Sequence, residues 1–213
     1  MSKNKHVYKE GQKNKSTKTG RLRLVLALFL LGLGLYQLLL VVSPRLNFID
    51  RTDNIKAEIK KQNGEDSIII PKIGVDIAYK SGDASVLDDY AWHRYPERGD
   101  PVKGGNFIIS AHRFKVGYSP GETKRRSPFY NIEQLQAGDK IYTRFNKKMY
   151  EYKITKRYQV KPTDVEIEGP SKKPKLTVYS CTLKGSADGR IVIEAEPVDK
   201  IKNTQEPDDS AAI

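Results

Sequence analysis

A single cysteine, Cys181, stands in this 213-residue chain, together with one tryptophan and three histidines. One thiol excludes an internal disulfide, and so few Cys and His residues leave no zinc-type cluster. No metal and no other cofactor is expected. Cys181 is therefore either a small buried hydrophobe or a reactive thiol, and its surroundings must decide. Acidic residues are also scarce, 26 Asp and Glu against 38 Lys and Arg, for a net charge of +12. Internal repeats are absent, which sets aside solenoid architectures.

The location of the basic excess tells more than its size. Residues 1–23 hold eight Lys and Arg against the single acid Glu10, more than half of the whole excess. Directly behind them, Leu22 to Val42 is nearly unbroken apolar sequence, with Arg23 near its start and Gln37 inside. About 20 such residues cross a bilayer core as a helix, and flanking cations mark the cytoplasmic side. This pattern predicts a basic cytoplasmic tail at 1–20 and a transmembrane signal anchor at 21–43. A globular part outside the cytoplasm follows, giving a single-pass protein of the cell membrane. Nucleic acid is not an expected partner, because the cations are spent beside the membrane. Ser43-Pro44-Arg45 offers no small-residue cleavage site, so the span reads as retained rather than removed.

Residues 44–66 form a mixed-charge linker in which Leu46, Ile49, Ile55 and Ile59 fit a short helical stalk. From 67 to 198 the texture becomes short β-rich runs between Gly, Pro and Asp clusters. Strands are predicted near 67–70, 74–78, 106–111, 140–145, 149–160, 176–181 and 190–197, with short helices at 84–89 and 127–134. Seven short strands at this spacing predict a mostly β, closed or half-closed barrel. Trp92 and the tyrosines are expected to pack it. Residues 199–213 read as a polar tail.

The chemistry concentrates in Leu176–Val198. Two predicted strands flank a turn containing Gly185, Asp188 and Gly189. Paired as a hairpin, they bring Cys181 near Arg190. Strand alternation then puts both on the face opposite Leu176, Val178, Ile191 and Ile193. A neighbouring cation favours the thiolate, the attacking form. A thiolate that cleaves an amide also needs a proton carrier, and histidine suits that task. His6 lies in the basic tail. His112 ends the apolar run Asn106–Ala111, where functional residues are commonly displayed. His93, in a turn-rich loop, stands second.

These motifs resemble those of the sortase family. GGNFIISAHR is similar to the Gly-Asn, apolar strand and catalytic His of sortases, which maps to His112. The segment Thr177-Val178-Tyr179-Ser180-Cys181 resembles the T-L-x-T-C signature ending in the catalytic Cys, and the family's Arg maps to Arg190. FYNIEQLQAGDKIY is similar to the family's aromatic, short-helix, Gly-Asp, strand order. HRYP around His93 resembles an element of the class D and E groups, and the lack of a second span argues against the pilin-polymerising class. The resemblance covers about 68–198 and implies a sortase-like closed β-barrel with short helices behind one transmembrane helix.

The implied activity is transpeptidation on secreted proteins that carry a C-terminal Leu-Pro-x-Thr-Gly-like sorting signal. Cys181 would be acylated, His112 would move the proton, and Arg190 would either stabilise the oxyanion or hold the peptide. His93, Ser180 and Thr177 are candidate substrate-binding residues. The acceptor would be an amine of a peptidoglycan precursor or a pilin lysine. Two other readings exist. An L,D-transpeptidase would place its Arg two residues after a Gly-Cys pair, whereas Ser180 precedes Cys181. A catalytically inactive anchored β-domain that binds a surface partner would keep the fold without a converging site. Glu166 and Glu168 read as a solvated face rather than a calcium site, and the segment after His112, residues 114–128, reads as a groove lining or lid.

Overall fold

A computed structural model of the chain describes residues 15–48 and 64–198. The first element, α1 (Lys15–Val42), is a 28-residue helix. Its apolar residues from Leu22 to Val41 are exposed nearly all round, as expected of a helix whose solvent is lipid rather than water. By length and composition it can cross a membrane. A 3-10 turn at Ser43–Phe48 follows. Most of the expected stalk and the whole polar tail lie outside the described residues.

Nine strands build the rest: β1 (Ser67–Ile70), β2 (Val75–Lys80), β3 (Ala91–Arg94), β4 (Gly99–Asp100), β5 (Gly104–Ser110), β6 (Lys140–Phe145), β7 (Lys148–Val160), β8 (Lys175–Thr182) and β9 (Gly185–Pro197). Their order is β3-β2-β1-β6-β7-β9-β8-β5, and β3 pairs again with β5. Eight strands thus close into a barrel, with β4 appended to β5. Closure removes the sheet edges that would otherwise need protection. Most pairings are antiparallel; β2 with β3 and β5 with β8 are parallel.

Alternation along the strands sorts the faces. Ile68, Ile70, Phe107, Ile109, Ala111, Ile141, Leu176, Val178, Ile191 and Ile193 point inward and are buried together. On the outer face a second, smaller cluster joins Ile108, Tyr179 and Val192, with Tyr95, Tyr158, Val160 and Ile167 packed against it. Tyr79 and Tyr152 do fill the barrel. Trp92 instead sits on the outer face, with the Arg94 guanidinium 4.4 Å from its ring centre.

Strands 67–70 and 140–145 begin and end where the sequence predicts. Three features differ. The predicted helix at 127–134 is only a 3-10 turn at Ile132–Gln134. A short helix, α2 (Pro120–Arg125), forms earlier, capped by the Ser119 hydroxyl accepting from the Glu122 amide. β3 and β4 carry no long apolar run and are held by their neighbours. Within GGNF, Gly105 has φ +79° and a Cβ there would overlap the carbonyl oxygen of Arg98; the glycine is required by the β4–β5 turn.

Ile109 is fully buried between β3 and β8. Ile109→Ala is expected to cost about 2–5 kcal/mol, read as a lower unfolding midpoint of the full chain in detergent. A change within a few tenths would contradict the packing described.

Candidate active site

The parallel pairing of β5 and β8 matches Ser110 with Tyr179. Continuing that register by two residues sets His112 level with Cys181. On the other side of β8, Cys181 is the direct antiparallel partner of Arg190. All three belong to the outer-face set, since Ala111, Val178 and Ile191 fill the interior. The register thus sets Cys181 beside Arg190 on the outer wall of the barrel, with His112, two residues past the last β5–β8 pair, at the same level.

Local bonds hold this arrangement. The buried Ser180 hydroxyl donates to the carbonyl of Ala111 (2.7 Å), tying the residue before Cys181 to the residue before His112. The Phe129 amide donates to the His112 carbonyl at 3.2 Å. The hairpin is tighter than predicted: β8 runs to Thr182 and β9 starts at Gly185, with an irregularity between Cys181 and Thr182. Such a bulge re-aims side chains. Arg190 Nη1 donates to the carbonyls of Ser186 (2.7 Å) and Gly189 (3.1 Å), which fixes the guanidinium against its own turn. The Thr182 hydroxyl donates to Asp188 Oδ2 at 2.7 Å.

Cys181 and His112 are both partly exposed, so a solute can reach them. Burial presses the His112 pKa below its ordinary 6.5; Lys115 and Arg126 push the same way, while Asp88 opposes them. His112 is consequently a neutral imidazole at neutral pH, able to take a proton. Because its folded pKa is lowered, its share of stability is present above the unfolded value and is lost as pH falls through it.

The three secondary candidates are placed differently. Thr177 is fully buried and donates to Asn106 Oδ1 at 2.6 Å. Ser180 is 2% exposed and committed to Ala111. His93 points into the barrel, edge-on to Tyr79 and Phe107, with Ser81 Oγ and the Gly99 carbonyl within 3.4 Å of its ring nitrogens. It lines a cavity of about 480 Å³ with Asp66, Asp100, Lys103 and Phe145. That cavity sits where β1 and β5 begin and β2 and β6 end, away from Cys181. The structure therefore brings together His112, Cys181 and Arg190, and buries Thr177, Ser180 and His93 among their own partners.

Sequence reasoning missed what lies beneath the site. Residues 161–174 form a strap from β7 to β8 across the outer face. Glu168 is only 7% exposed rather than solvated. Its carboxylate pairs with Arg94 Nε at 3.1 Å and accepts from the Tyr179 hydroxyl, which also accepts from Arg94 Nη1 (2.8 Å). Arg98 donates to the Glu168 carbonyl (2.6 Å), and Asn106 Nδ2 donates to the carbonyls of Ile167 and Gly169. Burial, then the adjacent carboxylate, pushes the Tyr179 phenol up, so it remains a donor. The outward parity of Tyr179 with Cys181 was legible; the ion pair was not, since 74 positions separate Arg94 from Glu168. Glu166 stays exposed. No group of His, Cys, Asp and Glu suited to holding a metal occurs among the described residues. A cavity of about 300 Å³ adjoins the site, lined by Arg113, Leu183, Arg45, Tyr130 and Glu133.

Comparison with known proteins bears on this geometry. The family model for the sortase domain matches residues 68–198. The chain belongs to the sortase family. The Bacillus subtilis sortase homologue YwpE is 24% identical over 107 residues, which is 50% of this chain and 97% of YwpE. The Clostridium perfringens sortase D5 transpeptidase matches with TM-score 0.53 and 25% identity, over 70% of this chain and 88% of that one. Sortase C2 of Group B Streptococcus pilus island 1 also gives TM-score 0.53, at 23% identity, over 62% and 73% of the two chains. Equal scores for a D5 and a C2 sortase mean that fold likeness does not separate the classes.

Replacing Glu168 by Ala leaves the Arg94 and Tyr179 donors short of an acceptor, an expected loss of about 1–3 kcal/mol. Hydrogen exchange should quicken across 165–169 while the β1–β6 amides stay protected. Unchanged exchange in the strap would show that this clamp does not hold it.

Proposed function

We propose that this chain is a membrane-anchored cysteine transpeptidase that cleaves a Leu-Pro-x-Thr-Gly-like sorting signal and joins the new carboxyl end to an amine. What supports the reading is the register that sets His112, Cys181 and Arg190 at one level of the barrel wall, within a sortase domain. In the first step neutral His112 takes the thiol proton. The Cys181 sulfur adds to the Thr carbonyl, the Thr–Gly C–N bond breaks, and the departing amine leaves with the proton returned from His112. A thioester on Cys181 remains.

In the second step an acceptor amine, deprotonated by His112, adds to the thioester carbonyl; the C–S bond breaks, and the Cys181 sulfur leaves and takes back the proton from His112, restoring the thiol and the neutral imidazole. Arg190 supplies a cationic donor, either to the carbonyl oxygen that becomes negative in both steps or to the peptide backbone. Ser180 and Thr177 act by positioning: one locks β8 to the residue before His112, the other locks it to Asn106. The acceptor class is an amine of a peptidoglycan precursor or a pilin lysine. Anchoring by α1, with the barrel outside the cytoplasm, confines enzyme, substrate and acceptor to one surface.

Incubation of the full chain in detergent with sorting-signal peptides and amine acceptors tests this reading. Cys181→Ala should abolish both the thioester adduct and the amide product. Arg190→Ala should lower kcat/KM about 10²–10³-fold and His112→Ala about 10²–10⁴-fold. Product formed at native rates by Cys181→Ala would refute the mechanism. Because burial depresses the His112 pKa, the acid limb of the kcat/KM profile should fall below pH 6.5 and vanish in His112→Ala. An acid limb above that value, or one that survives the substitution, would remove His112 from the proton path.

A further inference from the structure

The segment that follows His112 buries little of its apolar side chains, Phe114 alone resting edge-on against Tyr130. Phe114 is 39%, Val116 52% and Tyr118 90% exposed. Single exposed apolar residues are ordinary; three at alternate positions in one loop are not, and their setting is unusual. The Tyr36 hydroxyl of α1 donates to the Tyr118 carbonyl at 2.5 Å. The end of the anchor is tied to the same side of the domain, Arg45 Nε donating to the Tyr130 hydroxyl (3.1 Å) and Asn131 Nδ2 to the Pro44 carbonyl (3.3 Å). The loop therefore has a fixed level along the helix.

That level is low. The apolar run from Leu22 to Val42 is about 31 Å of helix, against a hydrocarbon core of about 30 Å, so it has almost no length to spare. Tyr36 precedes Val42 by six residues, about 9 Å along the axis. A loop bonded to Tyr36 thus reaches below the point at which the chain leaves the apolar layer. Interfacial elements bury their apolar side chains about 5–10 Å into the headgroup and acyl boundary, and tyrosine favours that region.

The polar groups of the loop are prepared for such a place. Three of its amides are satisfied from within: Lys115 donates to Ser127 Oγ (2.9 Å), Gly117 to Thr123 Oγ1 (2.9 Å) and Tyr118 to Glu122 Oε2 (2.8 Å). Its cations are paired, Lys115 and Arg126 with Asp88 and Arg125 with Asp89. Backbone groups without water need internal partners; these three amides have them, while Val116 and Tyr118 face out and Phe114 is partly exposed.

We propose that residues 113–127 form a membrane-docking loop: Phe114, Val116 and Tyr118 enter the headgroup layer of the bilayer crossed by α1. The loop begins one residue after His112, so docking holds the Cys181 face against the membrane surface. A substrate or acceptor tethered there meets the site without leaving the surface. The inference rests on α1 being the membrane anchor.

The full chain in phosphatidylcholine vesicles, carrying Cys181→Ser and one new cysteine labelled with the fluorophore NBD, tests it. Tyr118→Cys is compared with Leu31→Cys inside α1 and Lys172→Cys on the strap, using as quenchers lipids spin-labelled near the headgroup for 118 and 172 and deep in the acyl chain for 31. Tyr118 is so exposed that its replacement leaves the fold intact. The expected result is blue-shifted, strongly quenched emission at 118, with solvent-like, unquenched emission at 172. Quenching at 31 with a 118 signal equal to that at 172 overturns the docking loop and leaves the anchor standing. Absence of quenching at both 31 and 118 overturns the anchor, and the docking loop with it.

Discussion

Parallel pairing of β5 with β8 is the constraint on which the rest of this molecule depends. Parallel neighbours must be joined by a crossover, and the two strands finish side by side at the same end of the sheet. Ser110 opposite Tyr179 therefore dictates His112 beside Cys181. The antiparallel β8–β9 hairpin adds Arg190 on the other flank. A one-residue slip in either pairing would turn one member toward the interior. Inward Ile109, Val178 and Ile191 oppose that slip, since it would drive apolar side chains into solvent. The packing of the core and the geometry of the site are the same fact seen from two faces.

The outer wall adds a second layer of order. Tyr179 lies two residues before Cys181 on the same face, and its hydroxyl sits between Arg94 and Glu168. This polar group sits close to the strap residue Ile167, which covers the outer cluster of Ile108, Tyr179 and Val192. An ion pair of this kind contributes less to net stability than its attraction suggests, because both charges lose water. Its effect is positional. It fixes the strap beside the wall that carries Cys181, and removing one partner leaves the other short of hydrogen bonds.

How much of this was legible in the sequence follows from how local each signal is. Ile68 to Ile70 reads as a strand from an unbroken β-branched run, and Lys140 to Phe145 from the alternation of Ile141, Thr143 and Phe145; both signals are contained within the strand itself. Cys181, Arg190 and His112 were legible through motif order and through alternation across one predicted hairpin. β3 was not, because Ala91–Arg94 owes its strand to pairing with Tyr79 and Ser110, distant in the chain. His93, Thr177 and Ser180 show what the sequence leaves out. Polar residues near a motif suggest substrate contact, yet here the imidazole and hydroxyls satisfy buried carbonyls and side chains inside the fold. Glu168 read as solvated for want of any local sign of Arg94.

The central claim is that Cys181 and His112 form one chemical unit. The pH dependence of Cys181 alkylation by iodoacetamide tests it most directly, needing neither substrate nor acceptor. In the native chain the rate should show an inflection on the acid side of neutrality that belongs to His112, and His112→Ala should erase it. It should leave only the single rise of an isolated thiol. Identical profiles for the two proteins would contradict the account.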